Sequence, residues 1–115
     1  MRAIQERKIK RIGSTKEIEV DVIEGYENAL VLTERQNIFN NELFKLGLFE
    51  LQDAGSQAIS EFLEVEPGMR IIDACAGGGG KTLHLSALMQ NKGQLIAMDL
   101  YESKLKQLKL RAKRN

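Results

Sequence analysis

The residues of this chain best suited to chemistry lie in one run, Asp73-Ala74-Cys75-Ala76-Gly77-Gly78-Gly79-Gly80-Lys81-Thr82. Consecutive glycines let a turn take φ > 0 and let main-chain amides approach a ligand that any Cβ would hold away. The Lys81 ammonium at the end of the run suits a carboxylate or a phosphate. A second group, Asp99, follows about 20 residues after the loop, where an acid accepts hydrogen bonds from ribose hydroxyls. Taken alone, Asp99 reads equally well as a helix cap. With the glycine run before it, the two features point to a nucleoside cofactor with free ribose hydroxyls.

Spacing separates the rival loops. A Walker A loop needs a glycine, four residues and then Gly-Lys-Thr; Gly80-Lys81-Thr82 supplies the end, but Cys75 occupies the place of the first glycine. The dinucleotide pattern G-x-G-x-x-G finds Gly77 and Gly79 and then meets Thr82. Both patterns are incomplete, which favours a smaller nucleoside ligand. His84, the only histidine, sits one helical turn beyond Lys81 and reads as a surface or core-edge side chain.

These groups need a strand, a turn and a helix to hold them. Residues 69–74 read as a strand entering a core, and Leu85, Leu88 and Met89 repeat at helical spacing, which predicts a helix over about 80–90. A second strand over 94–99 and a helix over about 102–114 follow. Leu95-Ile96-Ala97-Met98 is apolar without alternation, as in a parallel strand covered by helices on both faces. Two parallel strands joined by a helix form a right-handed unit. The fold class is therefore α/β, half of a doubly wound sheet. Leu105, Leu108 and Ala112 trace an apolar stripe with no further strand to receive it, so a fragment of a longer protein is expected.

The single proline, in Pro67-Gly68, marks a turn between two differently patterned halves. Before it, Ile18, Val20 and Val22 alternate with acidic residues as in a half-exposed strand, a turn falls at 25–28, and Ala29-Leu30-Val31-Leu32 completes a hairpin. Asp53 or Ser56 caps a helix that reaches Leu63, with Ile59, Phe62 and Leu63 on one face.

The chain has 115 residues, 43% hydrophobic and 29% charged, with a net charge of +1, the profile of a soluble globular domain. That balance excludes a binder of nucleic acid by bulk charge. The basic residues nonetheless gather at both ends: Arg2, Arg7, Lys8, Lys10, Arg11 and Lys16 at one, Lys104, Lys106, Lys109, Arg111, Lys113 and Arg114 at the other. One cysteine forms no internal disulfide. No apolar run approaches the ~18 residues of a membrane span and no signal-peptide core is present, so no membrane partner is expected and a cytoplasmic setting is the default.

Two blocks resemble the RNA cytosine-C5 methyltransferases of the Sun/Fmu type, which use S-adenosylmethionine and mostly modify ribosomal or transfer RNA. Phe44-Lys-Leu-Gly47-Leu-Phe49-Glu-Leu-Gln52-Asp53-Ala-Gly-Ser56-Gln57 is similar to the family's F-x-x-G-x-F-x-x-Q-D-x-x-S-Q segment. The loop at 73–82 is similar to its D-x-C-A-x-P-G-G-K-T motif. The likeness runs from about Leu43 onward. It implies a partial Rossmann-like S-adenosylmethionine-dependent methyltransferase fold at 67–115, preceded at 1–66 by an α+β segment containing the hairpin. It also implies cofactor-binding roles for Cys75, Ala76, Gly77, Gly78, Gly79, Gly80, Lys81 and Asp99, and a place beside the pocket for Gln52, Asp53 and Gln57, where structural support is the stronger reading. Gly78 departs from the family, which usually has proline there; a flexible residue replaces a rigid one.

Methylation at C5 of a pyrimidine requires a thiolate that adds temporarily at C6. The resemblance implies that the two family cysteines follow later strands, in segments these residues do not include. Cys75 is aimed at the cofactor and is expected to pack as a small apolar group. No catalytic residue and no metal ligand is assigned, and the chain alone is expected to be inactive. RNA is the expected substrate of the full-length protein, with basic residues following its backbone or simply solvated, and Glu102 with Lys106 forming a helical i,i+4 pair. The open edges of a two-strand sheet predict self-association or partial disorder. Two other readings stay open: a non-catalytic nucleotide- or RNA-binding module of degenerate methyltransferase type, and, less favoured, a P-loop nucleotide-binding protein.

Overall fold

The computed structural model describes residues 8–9, 18–26 and 28–115. Of the amino-terminal basic residues only Lys8 is among them, and Glu27 of the expected turn also lies outside the described residues. The chain groups into two compact units, Met1–Phe49 and Glu50–Asn115, and the Pro67-Gly68 turn lies inside the second.

In the first unit, β1 (Lys8–Ile9), β2 (Ile18–Val22) and β3 (Leu30–Leu32) form an antiparallel sheet in that order. The hairpin pairs Val20 with Leu32 and Val22 with Leu30. Alternation in β2 sends Ile18 and Val20 into a small core with Ile38 and Phe44, against which Leu30, Leu32 and Phe49 pack. Val22, expected on the same face, is exposed, because the core ends at the strand's second inward position. A short helix absent from the sequence reading, α1 (Glu42–Lys45), is capped by the Asn41 side chain, which accepts from the Leu43 amide at 2.9 Å. It delivers Phe44 to the core, where the ring meets Phe39 edge-on at 5.3 Å and Phe49 at 5.7 Å.

The second unit carries α2 (Ala54–Phe62), β4 (Arg70–Asp73), α3 (Gly80–Leu88), β5 (Gln94–Ala97) and α4 (Glu102–Arg114). The strands pair in parallel, Arg70 opposite Gln94 and Asp73 opposite Ala97, with α3 as the crossover. This is the expected α/β unit, with each element within a few residues of its sequence position. Asp53, not Ser56, caps α2: its carboxylate accepts from the Ser56 amide at 2.9 Å. The face of α2 differs from expectation. Ile59, Phe62 and Leu63 are exposed, while Ser60 is buried, a small side chain where α2 packs on α3.

Burial along β4 and β5 alternates, which corrects the expectation of a strand covered on both faces. Ile72 is 64% exposed, Ile96 41% and Met98 53%, because the described helices cover only the face that carries Ile71 and Leu95. Leu85 and Met89 of the α3 segment are buried as their spacing requires. Among the described residues, no helix is long and apolar enough to cross a membrane.

Candidate cofactor-binding site

The loop between β4 and α3 is held at the carboxyl end of both parallel strands. Asp73, the last residue of β4, accepts a hydrogen bond from the Thr82 hydroxyl at 2.7 Å and one from the Cys75 amide at 3.3 Å. A single carboxylate thus ties the strand end to the loop and to the first turn of α3. The Ala76 amide donates to the Met98 carbonyl at 2.9 Å, and the Met98 amide donates to the Asp73 carbonyl at 2.8 Å, which continues the parallel ladder beyond the strands proper.

The glycines have different tasks. Gly79 sits at φ 92° as the residue before α3, and a Cβ there would lie 2.6 Å from Cγ of Leu108. That glycine is required twice, by its left-handed backbone and by the close approach of α4. A Cβ on Gly77 would meet nothing within 4 Å, so open room lies beside the loop at that point. The first intrahelical bond of α3 runs from the Leu83 amide to the Gly79 carbonyl at 2.8 Å. The amides of residues 80–82 therefore have no intrahelical acceptor, and the helix presents its positive pole to the loop.

Asp99 meets the loop directly. Its Oδ2 accepts from the Gly77 amide at 2.8 Å and its Oδ1 from the Tyr101 amide at 2.9 Å. These bonds, that from Tyr101 first and then that from Gly77, with Lys104 adding to them, hold the carboxyl below the usual carboxylate range against the opposing effect of desolvation. The group stays ionised at neutral pH. Each oxygen keeps acceptor capacity beyond the one bond it makes. Lys81 places Nζ 3.5 Å from the Ser56 hydroxyl, one partner for an ammonium with three donors. Gln52 lies beside Gly80, 3.7 Å from where a Cβ would stand, with Nε2 buried and unpartnered. Gln57 donates to the Gln52 carbonyl at 3.1 Å. All of these residues belong to the second unit.

One sequence expectation changes here and another holds. Cys75 is exposed, not packed as a small apolar group, because the neighbouring Ala76 takes the buried place in the loop. His84 stands at the core edge, as read, with Nδ1 buried and without a hydrogen-bond partner. Burial lowers its pKa, partly offset by the Glu61 carboxylate. One contact of the loop had no signal in the sequence: Arg111 of α4 donates to the Gly78 carbonyl at 2.8 Å.

The family model described as 16S rRNA methyltransferase RsmB/F matches residues 60–114. The chain is 45% identical over 62 residues to the mouse (Mus musculus) tRNA (cytosine(72)-C(5))-methyltransferase NSUN6, a match covering 54% of the chain and 13% of that protein. It is 35% identical over 79 residues to the Arabidopsis thaliana 25S rRNA (cytosine-C(5))-methyltransferase NSUN5, covering 69% of the chain and 14% of that protein. It belongs to the RNA cytosine-C5 methyltransferase family. The crystal structure of NSun6 from Pyrococcus horikoshii with SFG superposes with a TM-score of 0.68 at 31% identity, covering 75% of this chain and 23% of that one. The α/β unit around the glycine loop is thus the partial methyltransferase fold of this family. The chain spans less than a quarter of the length of each of these relatives.

Proposed function

We propose that Cys75, Ala76, Gly77, Gly78, Gly79, Gly80, Lys81 and Asp99 bind S-adenosylmethionine, within a protein that methylates C5 of cytosine in ribosomal or transfer RNA. The observation that carries this reading is the 2.8 Å bond from the Gly77 amide to Asp99, which sets the glycine loop and the acid side by side at the ends of adjacent parallel strands. A relative of the same fold was solved with SFG, an analogue of that cofactor, which supports the same choice of ligand. The residues fit the group: there is open room at Gly77, unsatisfied amides at the start of α3, and an ionised acid with free acceptor capacity.

S-adenosylmethionine supplies, when bound, a methyl group on a sulfonium. The residues of this chain bind and orient. The α3 amides and the Lys81 ammonium meet the carboxylate of the cofactor's amino-acid portion, and Asp99 accepts from its ribose hydroxyls. Cys75 is the one thiol of the sequence, and as part of the cofactor loop it faces the cofactor rather than a base, so on this reading these 115 residues bind cofactor without turning over RNA. A cytoplasmic setting accompanies this reading.

Calorimetric titration with S-adenosylmethionine and, separately, with ATP and magnesium tests it. Binding of the first is expected. Binding of ATP alone would end the reading in favour of a P-loop protein, and RNA methylation by the chain would overturn the assignment of no catalytic residue.

A further inference from the structure

The glycine loop is gripped from outside by a polar cluster that closes across the second unit. Arg111, on the last turns of α4, extends Nη1 to the Gly78 carbonyl at 2.8 Å and Nη2 to Oε2 of Glu50 at 2.9 Å. Arg114 and the Asn115 side chain converge on Oε1 of the same carboxylate, the latter at 2.9 Å, and Asn115 Nδ2 also donates to the Arg111 carbonyl at 3.1 Å. The cluster is partly shielded, with Glu50 and the two arginines each retaining only about a quarter of their side-chain exposure (21%, 27% and 23%). Burial pushes the Glu50 carboxyl up, but the hydrogen bonds from Asn115, Arg111 and Arg114 together outweigh it and keep the acid ionised.

From this geometry we infer that Arg111, oriented by Glu50, is a positioning residue that holds the Gly78 peptide in the conformation the cofactor cradle requires. The inference rests on the reading of this loop as the S-adenosylmethionine site. A planar guanidinium reaches two acceptors from one rigid fork, which a lysine ammonium on a flexible stem does not reproduce. The carbonyl it grips belongs to a glycine, so the peptide most free to rotate is the one tethered. Gly78 is not among the left-handed glycines, and its amide donates no hydrogen bond among the described residues. Neither a left-handed φ nor a lost amide hydrogen bond therefore stands against a proline there, and by fixing φ it would supply internally the order that Arg111 supplies from α4.

The test has two readouts. By amide hydrogen exchange, Arg111→Met should accelerate Gly77 and Gly79, whose amides bond to Asp99 and to the Ala76 carbonyl, while leaving Met98, bonded to the Asp73 carbonyl, unchanged. By calorimetry, the same variant should lose on the order of tenfold in affinity for S-adenosylmethionine, as when the binding-ready conformer falls from nearly all to about a tenth of the population. Adding Gly78→Pro to Arg111→Met should restore both, and Arg111→Lys should stay impaired. Unchanged loop exchange in Arg111→Met overturns the inference, and so does equal acceleration at Met98, which would mark a merely structural ion pair. Faster loop exchange in a protein whose native form binds no S-adenosylmethionine would sustain the tether and defeat the cofactor reading instead.

Discussion

Replacing Gly79 by alanine sets backbone conformation and packing against the fold at one position. At φ 92° a Cβ carries the left-handed penalty of about 1–2 kcal/mol for a residue with a side chain. The new methyl would also stand 2.6 Å from Leu108 Cγ and 3.2 Å from its Cβ and Cδ1, distances at which Leu108 has to move. Overpacking of this kind costs about 1–3 kcal/mol. The sum, roughly 2–5 kcal/mol, is a large share of the ~5–15 kcal/mol that stabilises an ordinary domain. For a unit of this size each kcal/mol moves the midpoint by about 4–8 °C, so thermal unfolding followed by circular dichroism should fall by about 10 °C or more. Gly78→Ala is the control: its Cβ meets Gln107 Oε1 at 3.5 Å and Arg111 Nη1 at 3.6 Å, ordinary contacts, and the change should be near neutral. In a Leu108→Ala background the Gly79→Ala penalty should shrink, because the colliding atoms are gone. Equal midpoints for the two glycine variants, or a penalty indifferent to Leu108, would refute the packing argument.

Three further outcomes follow from the same structure. His84 is half-buried, with Nδ1 enclosed, and its pKa lies below the ordinary value, so the unfolded chain takes up a proton first as pH falls. Stability should be fully present above about 6.5 and decline below it, and urea midpoints at pH 7.5 and 5.5 should differ less in His84→Gln; an unaltered difference would remove His84 as the cause. Asp53→Ala removes the cap on α2 and should cost about 1 kcal/mol by denaturant titration, with Asp53→Asn close to native. The open face at Ile72, Ile96 and Met98, next to two strand edges unpaired among the described residues, should make the chain self-associate in sedimentation, and a monodisperse monomer across concentration would contradict this.

Local features were legible in the sequence and long-range ones were not. The parallel pair, its crossover helix and the α2 cap each follow from patterns that span a few neighbours: the apolar run at 95–98, the spacing of Leu85 and Met89, and Asp53 before a helical segment. The proximity of the loop to Asp99 follows from the same source, since consecutive parallel strands end on one side of a sheet. Arg111 and Glu50 lie 61 residues apart, and nothing in the periodicity of either segment links them. The exposure of Ile72 and Ile96 was equally invisible, because an apolar strand reads the same whether one face or both are covered. Ile59 and Phe62 misled for a related reason: an apolar stripe identifies a face, but which face docks is settled by how closely two helices can approach, and Ser60 allows α2 the nearer contact.

The contact between Gly79 and Leu108 makes α4 a lever resting on the cradle. No compliant side chain separates the two, so a displacement of that helix by a fraction of an ångström is felt at once by the peptide planes ahead of α3. Spectroscopic labels or crosslinks placed on the exposed positions Lys106 and Lys109 would therefore report on the loop as well as on the helix.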